Sequence, residues 1–121
     1  METYITNVDI LNEARENFLT FAEEVLTDRA VPNAEDGLLS SQRKILWTMY
    51  EYLKLNNKSK TKKCQSIVGS TISTAYIHGD ASCYGVLCKM AQEYLMRYPL
   101  IKGQGGLGTQ ADNSMISSPR Y

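Results

Sequence analysis

The spacing of hydrophobic residues predicts a helix near the start of the chain. Between Val8 and Leu26, apolar side chains recur at steps of three and four residues, which is the pattern of an amphipathic helix. They are Leu11, Ala14, Phe18, Phe21, Ala22 and Val25. The segment DRAVPNAEDG ends this helix, because Pro32 disfavours helix at the residue before it and Asp36-Gly37 is a turn signal.

Two shorter helices are predicted from the same kind of spacing. Ser40 or Ser41 is placed to cap the first of them. Its buried side consists of Ile45, Met49 and Tyr52 or Leu53. The polar and basic segment NNKSKTKK then forms a surface connection to a helix from about Lys63 to Thr74. The inward residues of that helix are Ile67, Val68 and Ile72.

A fourth helix follows the segment YIHGD, which is predicted to form a tight turn at its glycine. Asp80 is placed to cap this helix, which runs to about Arg97 and is closed by Pro99. Its apolar stripe consists of Val86, Leu87, Met90, Ala91, Tyr94 and Leu95. The remaining residues are rich in glycine, serine and asparagine and predict loop and strand instead of helix.

This order of elements predicts a mostly α fold with a small β component. Two short helices joined by a glycine turn and followed by a glycine-rich strand and loop are typical of a winged helix, that is, a helix-turn-helix with a wing. The helix from Asp80 is then the DNA recognition helix. We expect an amino-terminal arm and helix in residues 1–27 and a winged-helix domain, incomplete at its carboxy end, in residues 28–121.

Length and composition restrict the class of protein. The chain has 121 residues, which suffices for one modest domain. It has neither a signal-peptide pattern nor an apolar run long enough to cross a membrane, so we expect a cytoplasmic protein without membrane contact. Cys64, Cys83 and Cys88 lie in helix-like segments and are expected to be reduced, half-buried thiols.

Charge is distributed unevenly although the formal net charge is zero. Residues 1–36 hold nine acids and two bases, whereas residues 37–121 hold four acids and eleven bases, giving net charges of −7 and +7. Such a division suits one part of the chain to a polyanion, although charged faces that only contact solvent are an equal alternative.

Three local patterns bear on possible chemistry. Gly103, Gly105 and Gly108 match GxGxxG, but no helix pattern follows them, so a loop that passes close to another backbone is favoured over a nucleotide site. His78 forms no zinc spacing with the cysteines and is interpreted as a phosphate contact or a structural hydrogen bond. The basic residues around NNKSKTKK could follow a phosphodiester backbone or form a solvated loop, and no metal site is predicted in this chain.

Four segments in fixed order carry a family resemblance. They are DRAVPNAEDGLLSSQRKILWTMYE, SIVGSTISTAYIHGDASCYGVLCKMAQ, RYPLIKGQGGLGT and SSPRY. Together they resemble the DNA breakage–reunion (A) subunit of type IIA topoisomerases, meaning bacterial gyrase or topoisomerase IV. The resemblance covers nearly the whole chain and its terminal Arg-Tyr pair, so SSPRY is expected to be an active-site segment and not a natural domain end.

The resemblance implies an ATP-dependent enzyme that cuts and reseals double-stranded DNA. Tyr121 maps to the nucleophile that forms a 5′-phosphotyrosyl bond, with Arg120, Arg29 and His78 stabilising charge on the phosphate. The implied DNA contacts are Arg43, Lys44, Lys63, Ser82, Lys89 and Gln104. Two A subunits pair with two B subunits, and Mg²⁺ and ATP are held by the B subunit. The fragment alone is expected to be inactive.

The sequence also departs from the family pattern. Leu39-Ser40 replaces a usual Lys-Pro, and YIHGD has one histidine where HPHGD is usual. Lys44 stands where a second arginine is common, which keeps the charge but not the fork geometry. Ala81 and Gly85 occupy positions usually held by a serine and an acid that anchor fluoroquinolones through a water–metal bridge, so weak drug sensitivity is expected.

A second hypothesis keeps the winged-helix shape without chemistry, as in a transcriptional regulator. The Arg120-Tyr121 pair with GQGGLGT before it distinguishes the two hypotheses, because a regulator has no use for that pair. A nucleotide-binding domain rests on the glycine spacing alone and is the weakest hypothesis.

Overall fold

The fold is known from a computed structural model that describes residues 9–75 and 79–112. The chain divides into two compact units, one ending at Leu39 and the other beginning at Ser40. The functional division proposed between residues 27 and 28 stays a prediction. In the described ranges, no helix is both long and apolar enough to cross a membrane.

The first unit contains helix α1 (Ile10–Val25), which continues into a π-helical turn (Leu26–Ala30). Asp9 caps α1, because its Oδ1 accepts a hydrogen bond of 3.2 Å from the backbone N–H of Leu11. Val31 leaves the helical conformation with ψ 124°, directly before Pro32. The predicted first helix and its end are therefore confirmed.

The hydrophobic stripe of α1 faces solvent. No residue of α1 is buried, and Leu11, Phe18 and Phe21 are 79%, 67% and 64% exposed. The sequence pattern thus predicts the helix correctly, while the fold of the chain leaves its apolar face uncovered.

A hydrogen-bonded turn closes the first unit. The backbone carbonyl of Asn33 accepts a hydrogen bond of 2.8 Å from the N–H of Gly37, and Asp36 Oδ1 accepts one of 2.9 Å from the N–H of Leu38. Gly37 has φ +69°, a conformation that a side chain disfavours. This is the turn predicted from Asp36-Gly37.

The second unit is a bundle of three helices that all contact one another. They are α2 (Ser40–Trp47), which continues into a π-helical turn (Thr48–Tyr52), α3 (Cys64–Thr74) and α4 (Asp80–Ala91). The fold is mostly α, as predicted. No strand occurs in residues 9–75 or 79–112, so the small β component and the wing stay predictions.

The core of the second unit is small and buries five of the predicted inward residues, while Met49, Leu53, Ile72, Val86 and Ala91 are partly buried against it. Its buried hydrophobic members are Ile45, Ile67, Val68, Cys83, Leu87, Met90 and Ile101. Tyr52 is 59% exposed, so of the two alternatives Leu53 packs against the core. The π-helical turn explains this choice, because Leu53 donates to the carbonyl of Thr48 five residues earlier and the face shifts by one position.

Two predictions about α4 were wrong. The helix ends at Ala91 and not near Arg97, because Gln92 turns to ψ 115° and its side-chain amide donates to the carbonyl of Leu107. Leu95 consequently lies outside the helix and is 49% exposed. The N-cap is Gly79 and not Asp80, whose Oδ1 instead accepts from the N–H of Ala81 at 2.8 Å within the first turn.

Candidate functional site

Four of the residues predicted to contact DNA or drug lie on one face of α4. Ala81, Gly85 and Lys89 follow one another at steps of four residues, and Ser82 lies three before Gly85. Ala81, Ser82 and Lys89 are exposed and Gly85 is half-buried. The buried residues Cys83, Leu87, Cys88 and Met90 lie between these positions and anchor α4 in the core. The outward face of α4 therefore carries the hydroxyl of Ser82 and the cation of Lys89.

Gly85 is not required by the packing of α4. A Cβ atom added to it would meet no heavy atom within 4 Å, and its φ is not in the left-handed region. A larger side chain at this position would project from the exposed face. Neither the backbone conformation nor a contact with the described residues therefore requires glycine at position 85.

The cations of α2 lie beside the contact between α2 and α3. Arg43 and Lys44 are half-buried and directly precede Ile45, which is fully buried. The Lys44 carbonyl accepts a bond of 2.9 Å from the buried Thr48 hydroxyl, which also lies 3.3 Å from the hydroxyl of Thr74 on α3. This polar contact fixes the turn of α2 that carries both cations.

Residues 54–63 form a basic loop between α2 and α3. Asn56 Oδ1 accepts bonds from the N–H of Lys58 at 2.9 Å and from the Ser59 hydroxyl at 3.0 Å, while the Ser59 hydroxyl accepts from the N–H of Asn56. Its exposed cations are Lys54, Lys58, Lys60, Lys62 and Lys63. Lys63 is the N-cap residue of α3, and its carbonyl accepts from the N–H of Ser66 and of Ile67. The basic loop is thus locally ordered and positively charged.

Residues 101–112 form a glycine-rich loop that lies against the end of α4. A Cβ atom on Gly103 would lie 2.1 Å from Cδ1 of Leu107, so a larger residue there would displace the Leu107 side chain, while Gly105 and Gly108 have φ values of 121° and 88°. The Gln104 carboxamide oxygen lies 3.4 Å from the hydroxyl of Thr61 on the basic loop. These contacts explain the glycine pattern without a nucleotide.

Gln92 is the residue that sequence reasoning missed. It is 3% exposed, and its side chain joins the end of α4 to the glycine-rich loop. Its position four residues after the buried Cys88 was a usable signal, because a polar residue on the inward face of a helix needs a hydrogen-bond partner.

The three cysteines form no disulfide; Cys83 and Cys88 are fully buried and Cys64 is half-buried. Burial raises the pKa of the Cys64 thiol, neighbouring Cys88 raises it further, and a backbone hydrogen bond acts in the opposite direction. Burial also raises the pKa of Cys83. Protonated, enclosed thiols of this kind are poor nucleophiles, so these residues are structural.

The predicted catalytic residues are only partly described. Arg29 lies exposed in the π-helical turn of the first unit. His78, Arg120 and Tyr121 lie outside residues 9–75 and 79–112, and their roles stay predictions. No three His, Cys, Asp or Glu side chains in those ranges form a group that could hold a metal ion.

Comparison with known proteins gives a consistent result. Residues 29–121 match the family model that describes the A subunit of DNA gyrase/topoisomerase IV. The chain is 43% identical over 121 residues to the DNA gyrase A subunit of Thermotoga maritima, covering all of this chain and 15% of that protein. It is 37% identical over 120 residues to the DNA topoisomerase 4 A subunit of Rickettsia felis, covering 99% of this chain and 16% of that protein. The chain thus spans about a seventh of the length of these relatives.

Proposed function

This chain belongs to the family of DNA gyrase/topoisomerase IV A subunits, and we propose that it supplies the nucleophile and part of the DNA-binding surface of a type IIA topoisomerase. The observation that carries the proposal is the match over residues 29–121, which includes Arg29, His78, Arg120 and Tyr121. In this function, a transient double-strand break lets a second duplex pass and so changes DNA supercoiling or linking.

The second unit acts as a winged helix, with residues after Ile101 contributing the wing and the small β component. Helix α4 is the recognition helix, and its outward face carries Ser82 and Lys89. Twelve residues of helix span about 18 Å, which suits the major groove of a duplex. Contacts from this face and the basic loop go mainly to phosphates, because their cations and hydroxyls match phosphate oxygens better than particular bases.

Cleavage is a phosphoryl transfer to tyrosine. Tyr121 Oη attacks a DNA phosphorus, the bond from phosphorus to the 3′ oxygen breaks, and that oxygen leaves as a 3′-hydroxyl with the proton that the phenol gave up. A phenol with a pKa near 10 needs electrostatic help at neutral pH. The phosphodiester is exchanged for a phosphotyrosine ester, so the reverse attack by the 3′-hydroxyl reseals the strand without loss of bond energy.

Cations of this chain stabilise the charge that spreads over the phosphate oxygens. Arg120 and Arg29 offer paired N–H donors, and His78 offers a third donor. Farther along the DNA backbone, Arg43, Lys44 and Lys63 neutralise phosphates, and the exposed Gln104 amide contacts the strand from the glycine-rich loop. The net charge of +7 in residues 37–121 favours this polyanion.

The working assembly contains two A subunits and two B subunits on double-stranded DNA. The family resemblance supports a division of labour in which the B subunit holds Mg²⁺ and hydrolyses ATP. The enzyme acts in the cytoplasm on the nucleoid. The cleavage step needs one tyrosine from each A subunit, since two strands are cut.

A covalent-capture assay tests the proposal. The natural protein that carries this sequence is mixed with its B subunit, Mg²⁺ and supercoiled plasmid, and protein-linked linear DNA is measured after denaturation. Tyr121→Phe removes the attacking oxygen and should abolish the linkage while leaving DNA affinity nearly unchanged. Tyr98→Phe is the matched control, because Tyr98 is 84% exposed and outside the proposed machinery. Linkage that survives in Tyr121→Phe would show that the nucleophile is another residue.

The regulator hypothesis predicts a different result in the same assay. A winged helix without chemistry would bind the plasmid, and neither the natural protein nor any variant would form linked DNA. Family membership favours the enzyme.

A further inference from the structure

Gln92 is a buried polar residue whose hydrogen bonding is incomplete. Its Nε2 donates to the carbonyl of Leu107, whereas its Oε1 is buried and has no partner among the described residues. The reverse orientation of the amide would place Oε1 against a carbonyl oxygen, so the donor role of the nitrogen is fixed. The amide nitrogen of Gln92 therefore makes a hydrogen bond within the fold, whereas the amide oxygen makes none with the described residues.

Stability alone does not favour glutamine at this position. A buried carboxamide oxygen without a donor loses its hydration without replacement, which offsets much of what the one bond of the nitrogen contributes. A methionine of similar length would fill the same volume without a polar atom to satisfy. The glutamine is better explained by where it holds Leu107 than by how much it stabilises the bundle.

Gln92 connects the two segments that the proposed reaction uses. Its backbone ends α4, and its carbonyl accepts from the N–H of Leu95 at 3.3 Å and of Met96 at 3.1 Å. Its side chain reaches fifteen residues ahead to the glycine-rich loop. Gln92 thus sets both ends of the connection, which are the last turn of the recognition helix and the backbone of Leu107.

The other contacts of the glycine-rich loop are less directional. Leu107 packs over Gly103 next to Ala91, and packing of this kind allows sliding. The contact between Thr61 and Gln104 is long at 3.4 Å and exposed. Beside the packing of Ile101 in the core, the amide of Gln92 is therefore a directional contact that holds the loop in register against α4.

We infer that Gln92 is a positioning residue for DNA cleavage: by holding Leu107 it places the glycine-rich loop, with Gln104, relative to the duplex bound by α4. This inference rests on the proposed function. Loss of the contact leaves the DNA-binding face of α4 intact but displaces the loop, and displacements near 1 Å cost about 100-fold in rate.

The test compares the natural protein with Gln92→Met, which removes the donor and keeps the volume. With the B subunit, Mg²⁺ and plasmid, the rate of forming linked DNA at saturating DNA should fall about 100-fold. The dissociation constant for a short duplex should change by less than about three-fold, and the unfolding midpoint should not fall. Amide hydrogen exchange at Leu107 and Thr109 should become faster, which reports release of the loop.

Two further variants make the outcome decisive. Gln92→Asn keeps the amide but is too short to reach Leu107, so it should reproduce the cleavage defect and serves if the methionine variant does not fold. Gln65→Met makes the same chemical change at an exposed position of α3 and should cleave normally. Normal cleavage by folded Gln92→Met, or a loss that only follows lower stability or weaker binding, overturns the inference. No linkage by the natural protein overturns the proposed function, and this inference with it.

Discussion

Thr48 illustrates how a single buried hydroxyl supports the site. Its Oγ1 donates to the Lys44 carbonyl at 2.9 Å and lies 3.3 Å from Thr74 Oγ1, and the side chain is fully buried. It therefore joins α2 to α3 directly below the cations Arg43 and Lys44. A residue with no role in chemistry thus controls where two candidate phosphate contacts lie.

Thr48→Val should lower the free energy of unfolding by about 1 kcal/mol, because the hydroxyl bonds are lost while the shape is kept. Denaturant unfolding monitored by circular dichroism measures the change. The matched control is Thr20→Val on α1, where the hydroxyl makes a similar bond of 3.0 Å to Glu16 but is exposed. We expect a change within about 0.5 kcal/mol there. Equal losses in the two variants would contradict the role of burial.

The thiols give a pH-dependent prediction at the same scale. The pKa values of Cys64 and Cys83 are raised above the ordinary 9.0 by burial, so the folded chain keeps protons that the unfolded chain releases. Their contribution to stability is fully present below about pH 9 and is lost as the pH rises further. The unfolding midpoint should therefore fall more steeply above pH 9 in the natural chain than in Cys64→Ala/Cys83→Ala. Parallel midpoint curves would refute this assignment, since the two proteins differ in these two thiols alone.

At the scale of elements, α4 combines a fixed inner face with an adaptable outer one. Its inner residues are enclosed, whereas Ala81 is exposed and Gly85 has open space around its Cα. Changes on the outer face should therefore alter ligand contacts without disturbing the helix.

Ala81→Ser/Gly85→Asp should increase sensitivity to fluoroquinolones. The resemblance implies that a serine and an acid at these positions anchor the drug, and the open space at Gly85 lets an acid fit. We expect linked DNA to accumulate at about ten-fold lower drug concentration in the reconstituted enzyme, as for one restored water-bridged contact. Gly69→Asp on α3, which also has open space, is the control and should not change the response. An unchanged response of the double variant would contradict the prediction that positions 81 and 85 determine drug sensitivity.

Local sequence signals predicted the elements well and their long-range contacts poorly. The bounds of α1 and α3 and the turn at Gly37 follow from spacing, capping and turn residues that act within a few positions. The end of α4 does not, because a bond from Gln92 to a residue fifteen positions later decides it. Periodicity left Tyr52 and Leu53 as alternatives, and the structure decides for Leu53, which packs against the core while Tyr52 is exposed.

For the molecule as a whole, charge and family membership support the same proposed partner, DNA. The residues of the candidate interface come from α2, the basic loop, α4 and the glycine-rich loop, which belong to one compact unit. Sequence reasoning named most of them individually, yet it missed the contacts of Thr61 and Gln92 with the glycine-rich loop that bring these segments together. Those contacts join residues distant in sequence, so no local pattern contains them.

The exposed apolar stripe of α1 has a thermodynamic consequence. With no buried residue, α1 gains little from tertiary packing, and its 16 residues are near the length at which an isolated helix is marginal in water. Its helical content then changes gradually with temperature as a helix–coil equilibrium, while the three packed helices of the second unit unfold cooperatively. Melting of this chain consequently combines a broad, non-cooperative component with a sharp one, and its far-ultraviolet signal before the sharp transition reports on α1.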